Sequence, residues 1–366
     1  MSAPTTAEAD TAEPGDQHTR LWNAVVAGDA RAATDTVLAA LAAGLEPESV
    51  LLDLIGGVQR RVGQEWAAAR IDVAQEHTAT AINDRVITAV SLAAPPVEPH
   101  RGRVTVACVD GEWHALPARL LAEVLTLRGF AVDFLGAQVP TPHLVEHLHR
   151  TGPEAVALSG SLAPRLPTAH ATINACTATG TPVLAGGAAF GVDGAYARLL
   201  GAHWAPDARA AADLLAAGSL ARPEPPGQAV DQLPHLADQE YTMITLTRGE
   251  LVKAVYTGLE EQLPAMRSYT EDQRERTAED LAHIVDFLCA ALYTDADAVF
   301  GDFLEWTADV LGVRGVPRRA VLPGLDLLAT ELREFPRARR ILDAGRARLA
   351  PEPGPTARTE RAAEAS

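Results

Sequence analysis

His114 stands in the loop Asp110-Gly-Glu-Trp-His-Ala-Leu-Pro117, directly after the apolar run Val104–Val109. A neutral imidazole on a loop is a ligand for a soft or borderline metal. Taken alone it is more often an ordinary loop histidine than a ligand. After Pro117, 41 residues intervene before Ser159-Gly-Ser161, and a further 24 before Gly186-Gly187. Small residues at such points let backbone approach a ligand closely. A third grouping lies upstream, where Trp66 is followed by nine residues and then Glu76-His77. In an arbitrary helical segment this would be a core tryptophan with two surface polar residues.

The elements that must hold these residues follow from periodicity. From about Thr19 to Ala94 the pattern is helical. A short first helix opens at Leu21, a second covers Ala32–Leu45, a third runs from Pro47 to about Trp66, and a fourth spans Val73–Ala93. Short connections predict a four-helix bundle. Beyond Pro95–His100, strands are expected at Val104–Val109, Ala131–Leu135, Ala155–Leu158 and Pro182–Ala185, with a weak one near His203. Helices are expected at Leu116–Leu127, Pro142–Arg150 and Pro167–Thr179. Alternating strands and helices predict a doubly wound, flavodoxin-like (Rossmann-type) parallel sheet. His114, Ser159 and Gly186-Gly187 then fall at carboxyl ends of strands, where open α/β sheets bind ligands. After a Pro-rich linker at 219–239 the pattern is helical again, with helices expected at 242–263, 271–293, 296–312 and 320–347. The expected organisation is thus 1–17 disordered, 18–97 bundle, 100–218 α/β domain, 240–349 all-α domain and 350–366 disordered.

Composition sets limits. A formal net charge of −17 argues against a nucleic-acid surface, while leaving room for a local basic patch. Cys108, Cys176 and Cys289 lack zinc or disulfide spacing and fit a reducing compartment. Neither a signal peptide nor a membrane span is legible. A cytoplasmic protein with no membrane or nucleic-acid partner is the expectation.

The combination resembles the cobalamin-binding fold of methionine synthase, the mutases and the light-sensing cobalamin regulators. That family's pattern is Asp-x-His-x-x-Gly, then Ser-x-Leu, then Gly-Gly. The resemblance implies His114 as lower axial ligand to cobalt, Ser159 against the displaced nucleotide tail, and Gly186 and Gly187 making room for it. Three positions depart from the pattern: Glu112 replaces Asp, Pro117 replaces Gly and Ser161 replaces Leu. Glu112 retains a role if it accepts from the imidazole. The light-sensing regulators also carry Trp-x9-Glu-His in a helical cap. By that resemblance Trp66 covers the upper face, over a deoxyadenosyl group, with Glu76 and His77 beside it. Two features of the DNA-binding members differ here. No helix-turn-helix domain precedes the bundle, and Ala67 stands where they place a histidine after the cap Trp. An operator-binding role and that bis-histidine adduct are therefore not expected.

The order of helical cap, cobalamin domain and C-terminal helical domain resembles the photocobilins, whose last domain is globin-like and binds biliverdin. That implies adenosylcobalamin and a non-covalent biliverdin as cofactors. Bilin propionates want Arg or Lys, pyrrole nitrogens want a carboxylate or His, and the conjugated plane wants aromatic walls. Candidates are Arg318 with Arg314 and Arg319, His283 and Asp286, and Tyr293 with Tyr256, Phe287 and Trp306. Cys289 sits in an apolar helical context that favours inert packing over a thioether. The leading expectation is a photoreceptor rather than an enzyme. Light cleaves the cobalt–carbon bond, a bilin extends the spectral range, and the signal leaves through a dimer or an unknown protein partner. The alternative is a corrinoid protein that carries a methyl group for a separate methyltransferase. A third reading is a binding module without cofactor, in which His114 is incidental.

Overall fold

The computed structural model describes residues 14–223 and 233–349. Residues 1–13 and 350–366, expected to be disordered, lie outside the described residues, as does 224–232 of the expected linker. The chain divides into two compact units, 1–229 and 230–366.

The first unit opens with α1 (Pro14–Val26), which starts before the expected Leu21 and places residues 14–17 in a helix. Then come α2 (Ala30–Ala42), α3 (Pro47–Ser49), α4 (Gly56–Ala67) and α5 (Val73–Ala93). Asp29 caps α2 by accepting from the Ala32 amide at 2.9 Å. Asp72 and Gln75 form a reciprocal capping box that starts α5, at 2.8 and 3.0 Å. The helix expected from Pro47 to Trp66 is interrupted by a π-helical segment, Val50–Ile55. Gly56 and Gly57 follow it at once. A Cβ on Gly57 would lie 2.8 Å from the His18 ring, so α1 approaches α4 closely there.

The sheet alternates with helices: β1 (Arg103–Cys108), α6 (Leu116–Leu127), β2 (Ala131–Gly136), α7 (Thr141–Thr151), β3 (Ala155–Ser159), α8 (Leu166–Ala178), β4 (Val183–Gly186), α9 (Ala195–Leu199), β5 (His203–Trp204) and α10 (Ala208–Ala216). Every pairing is parallel, in the order β2-β1-β3-β4-β5. The chain reverses direction across the sheet between β1 and β3, the point where such sheets bind ligands. Register pairs Cys108 with Ser159 and Ser159 with Gly186, so three strand ends form one lateral row. One apolar core runs through bundle and sheet, from Leu21, Val37, Leu54 and Ile87 to Val106, Leu120 and Leu125. Cap and sheet, read separately from the sequence, therefore share a core and form one compact unit.

The second unit is all-helical: α11 (Glu240–Leu246), α12 (Arg248–Gln262), α13 (Glu271–Thr294), α14 (Asp297–Val313), α15 (Leu322–Glu331) and α16 (Pro336–Leu349). Two expected helices are each split. The span 242–263 breaks at Thr247, and 320–347 breaks before Pro336, whose ring cannot sit inside a helix. Buried Glu240 closes the second break by accepting from the Arg337 and Ala338 amides at 3.0 and 2.8 Å. Leu288, Phe300, Leu304, Leu325, Ile341 and Leu342 are buried in this unit. No helix among the described residues is long and apolar enough to cross a membrane.

Candidate functional site

The loop after β1 is organised by one carboxylate. Glu112 is 1% exposed. Its Oε1 accepts from the Trp113 amide at 2.8 Å, the His114 amide at 3.0 Å and His114 Nδ1 at 2.6 Å. Its Oε2 accepts from the Ser161 amide at 2.8 Å and the Leu162 amide at 3.3 Å. Glu112 thus ties the β1 loop to the β3 loop and orients the imidazole. Burial alone would raise the Glu112 carboxyl. The bond from the His114 ring, the amides of His114 and Ser161, and the imidazole's charge together outweigh burial and hold it at about 2. In turn the hydrogen bond to Glu112 holds His114 above its ordinary value against burial, with the charges of Glu112 and Glu76 acting the same way.

This arrangement prepares a metal ligand. With Nδ1–H donated to a carboxylate, the neutral ring keeps its lone pair on Nε2 and becomes a better donor through it. The His114 side chain is 55% exposed, so Nε2 is reachable. Trp113, its neighbour in the chain, and Leu162, whose amide also bonds Glu112, carry exposed apolar side chains.

Next to the loop lies a cavity of about 170 Å³, lined by Pro117, Leu121, Ser159, Gly186, Gly187 and Ala208 among others. Gly187 has φ +100°, and a Cβ there would fall 2.3 Å from the Gly160 carbonyl oxygen. No side chain fits that position. At Gly186 a Cβ would make only ordinary contact, 3.6 Å from the Ala205 oxygen, and would project where the cavity is lined. A reachable imidazole nitrogen beside a cavity lined by Ser159, Gly186 and Gly187 suits a corrinoid, whose cobalt takes a nitrogen ligand. Ser159 lines that cavity. Ser161 does something else, giving its amide to Glu112. That explains why Ser is acceptable where the family pattern has Leu.

The cap supplies the opposite side. Trp66, near the end of α4, is half-buried against the shared core. Glu76, in the first turn of α5, takes His77 Nδ1 on one oxygen at 2.6 Å and the Thr80 hydroxyl on the other at 3.0 Å. Ala115, next to His114, packs against the same core as Trp66, and the charge of Glu76 acts with that of Glu112 to raise His114. Thr80 also accepts from Gln59 Nε2 at 2.8 Å, and Gln59 Oε1 accepts from Asn83 Nδ2 at 2.6 Å. Gln59, Thr80 and Asn83 were not anticipated. The available signal was the spacing Glu76, Thr80, Asn83, which marks one helical stripe.

In the second unit, His283, Asp286, Phe287 and Tyr293 fall on one stripe of α13 by their spacing. Asp286 is already engaged by Arg248, with Nη2 to Oδ2 at 2.7 Å. The Tyr293 ring meets Tyr241 edge-on at 4.9 Å, and Phe287 stacks on Phe303 at 3.8 Å. His283 is exposed. Arg318 lies on a short turn outside α13 and pairs with Asp309 of α14. Cys289 is buried, and that burial pushes its thiol up to about 11, away from nucleophilic chemistry.

Comparisons with known proteins bear on the first unit. Residues 102–215 match the family described as B12 binding domain, and residues 17–91 match a second family of the same description. Trimethylamine corrinoid protein 1 of Methanosarcina acetivorans is 24% identical over 143 residues, covering 37% of this chain and 65% of the relative, slightly under two thirds of its length. Among solved structures, the monomethylamine corrinoid protein of Methanosarcina barkeri shows 20% identity and a TM-score of 0.49, covering 55% of this chain and 98% of that one. A cobalamin-binding protein from Desulfitobacterium hafniense DCB-2 shows 22% identity and a TM-score of 0.31, covering 56% and 98%. The methanol:cobalamin methyltransferase complex MtaBC from Methanosarcina barkeri shows 16% and 0.30, covering 59% and 85%. Structural likeness of this size says nothing about activity or partners. The family matches coincide with the cap and the sheet, the two halves that share one core. The chain is a cobalamin- or corrinoid-binding protein, with a B12-binding cap and a B12-binding sheet in its first unit.

Proposed function

We propose that this protein is a light sensor that holds adenosylcobalamin between the His114 loop and the cap. The observation that carries the reading is that Trp66 of the cap and Ala115, next to His114, pack against the one core that bundle and sheet share, with Glu76 in the first turn of the helix after Trp66. His114 Nε2 would hold the cobalt, Glu112 would fix the imidazole tautomer, and the cavity past Ser159, Gly186 and Gly187 would take the nucleotide tail. Trp66 shields the upper face, and Glu76 and His77 offer polar partners to the upper group. When bound, the cofactor supplies a cobalt–carbon bond that light breaks. The chain's part is orientation, exclusion of water and a cap whose packing depends on what lies beneath it. The signal leaves through a changed oligomer, such as a dimer, or through a protein partner.

Biliverdin bound non-covalently in the second unit is part of the same proposal. His283, Asp286 and Tyr293 share a helical stripe, but Asp286 and Arg318 are each paired within the protein. A bilin would have to displace those pairs.

The second reading, a corrinoid protein that carries a methyl group for a separate methyltransferase, is the one favoured by the curated relative, itself named a corrinoid protein. A bulky Trp66 over the upper face would hinder the approach of a methyltransferase substrate. One experiment separates the two. The protein is loaded with adenosylcobalamin in the dark and its spectrum recorded before and after green light. Irreversible loss of the alkylcobalamin spectrum accompanied by a changed oligomeric state on a sizing column supports the sensor, since bleaching alone is the cofactor's own photochemistry. An unchanged oligomeric state, together with methyl transfer from methylcobalamin to a purified methyltransferase, establishes the carrier.

A further inference from the structure

The cap contains a chain of polar side chains that the cofactor reading does not use. It starts at Asn83, which is fully buried in the bundle. Asn83 Nδ2 donates to Gln59 Oε1 at 2.6 Å, Gln59 Nε2 donates to the Thr80 oxygen at 2.8 Å, and the Thr80 hydroxyl donates to Glu76 Oε1 at 3.0 Å. Every donor in this chain points towards Glu76. That sense is not arbitrary, because a carboxylate can only accept. Thr80 must then give its single proton to Glu76, its oxygen must accept from Gln59, and the Gln59 carbonyl must accept from Asn83. Hydrogen bonds aligned head to tail polarise one another. The Asn83 Oδ1 at the far end is buried and has no partner. A buried amide with one unmet oxygen costs stability, and the bundle could have placed an apolar residue there. Gln59 also lies two turns before Trp66 on the same stripe of α4, so one pair of helices presents both the ring and the anchored carboxylate.

We propose that Gln59, Thr80 and Asn83 are positioning residues that aim the Glu76 carboxylate at a hydroxylated upper group of the cofactor, and so set the cap's preference for an adenosyl over a small upper ligand. The proposal rests on the light-sensor reading of the upper face. Glu76 has its two oxygens held by Thr80 and His77, which leaves lone pairs in fixed directions for ribose-type hydroxyls. Without Thr80 to hold it, the carboxylate is free to rotate and to solvate. A small upper ligand such as water or methyl makes no use of that orientation and should not register the change.

The test measures affinity of the full chain for adenosylcobalamin and for hydroxocobalamin, in the dark, by titration. Thr80→Val removes the hydroxyl at equal size, and Thr80→Ser restores it. Gln59→Leu breaks the chain one link further back. The expected result is about a ten-fold loss of adenosylcobalamin affinity in Thr80→Val and Gln59→Leu, as for a lost hydrogen bond to a charged group, with hydroxocobalamin affinity unchanged and Thr80→Ser recovering wild-type values. Equal losses for both ligands would mean a merely structural chain and overturn the proposal. So would unchanged ratios in both variants. If wild type itself shows no preference for the adenosyl form, the sensor reading fails instead. Thermal unfolding of each variant guards against loss of fold.

Discussion

Replacing Glu112 by Gln changes one atom and should disable the site. The carboxylate accepts three hydrogen bonds on Oε1 and two on Oε2. If the new amide nitrogen takes the Oε2 position, it faces the Ser161 and Leu162 amides, donor against donor. Two buried donors are stranded, at about 1–3 kcal/mol each. If the amide turns over, its nitrogen faces the Trp113 and His114 amides and the His114 ring. It can donate to Nδ1 only if the ring proton moves to Nε2, which removes the lone pair that would meet cobalt. Either orientation loses something that the carboxylate supplied. Glu112→Gln should therefore destabilise the first unit of the apoprotein by about 2–5 kcal/mol. In the turned-over orientation the loaded protein also loses imidazole ligation, visible in its spectrum. Urea unfolding followed by circular dichroism measures the first effect, and titration with cobalamin measures the second. An unfolding free energy within about 0.5 kcal/mol of wild type would refute the argument that one carboxylate organises both loops.

Gly187→Ala should cost about 2 kcal/mol or more in thermal unfolding, because φ is +100° and the Gly160 oxygen already occupies the space. Stability of the apoprotein should depend on pH through the Glu112–His114 pair. Glu112 is held at about 2 against its ordinary 4.5, so its contribution is complete above 4.5 and is lost as pH falls towards 2. His114 is raised above its ordinary 6.5, so its contribution is complete below 6.5 and is lost as pH rises through the raised value. The pair therefore helps most between 4.5 and 6.5, and His114→Ala should flatten the alkaline side of a plot of unfolding free energy against pH. Gly345→Ala would set a Cβ 2.7 Å from Leu304 and 2.9 Å from Phe300, and should lower the stability of the second unit by about 1–3 kcal/mol. Calorimetry should show that transition moving alone, since the first unit has its own core.

Much of the first unit was legible because its chemistry and its periodicity coincide. Each predicted strand of the sheet appears, with Ser159 and Gly186 at the ends of β3 and β4. Short apolar runs bounded by Gly and Pro have few other solutions. The π-helical Val50–Ile55 was not legible, since its residues keep a helical pattern whether each turn closes on the fourth or the fifth residue. The breaks at Thr247 and Pro336 were missed for different reasons. Thr247 has no breaker chemistry, whereas Pro336 does, and the apolar pattern running through it was given too much weight. At Ser161 the structure adds a backbone role, the amide bonded to Glu112, which side-chain identity does not reveal.

Which residues can carry chemistry, and which strand ends they occupy, could be read from the order of residues, because composition, spacing and period are local properties of the chain. How they meet depends on contacts between distant segments. Parallel register brought Ser159 and Gly186 level with the end of β1. A shared core set the cap on the sheet, so that Trp66 and Ala115, far apart in sequence, pack against it together. Burial of Glu112 between two loops chose the imidazole tautomer. These are consequences of packing and of hydrogen bonds between distant segments, which the order of residues alone does not display.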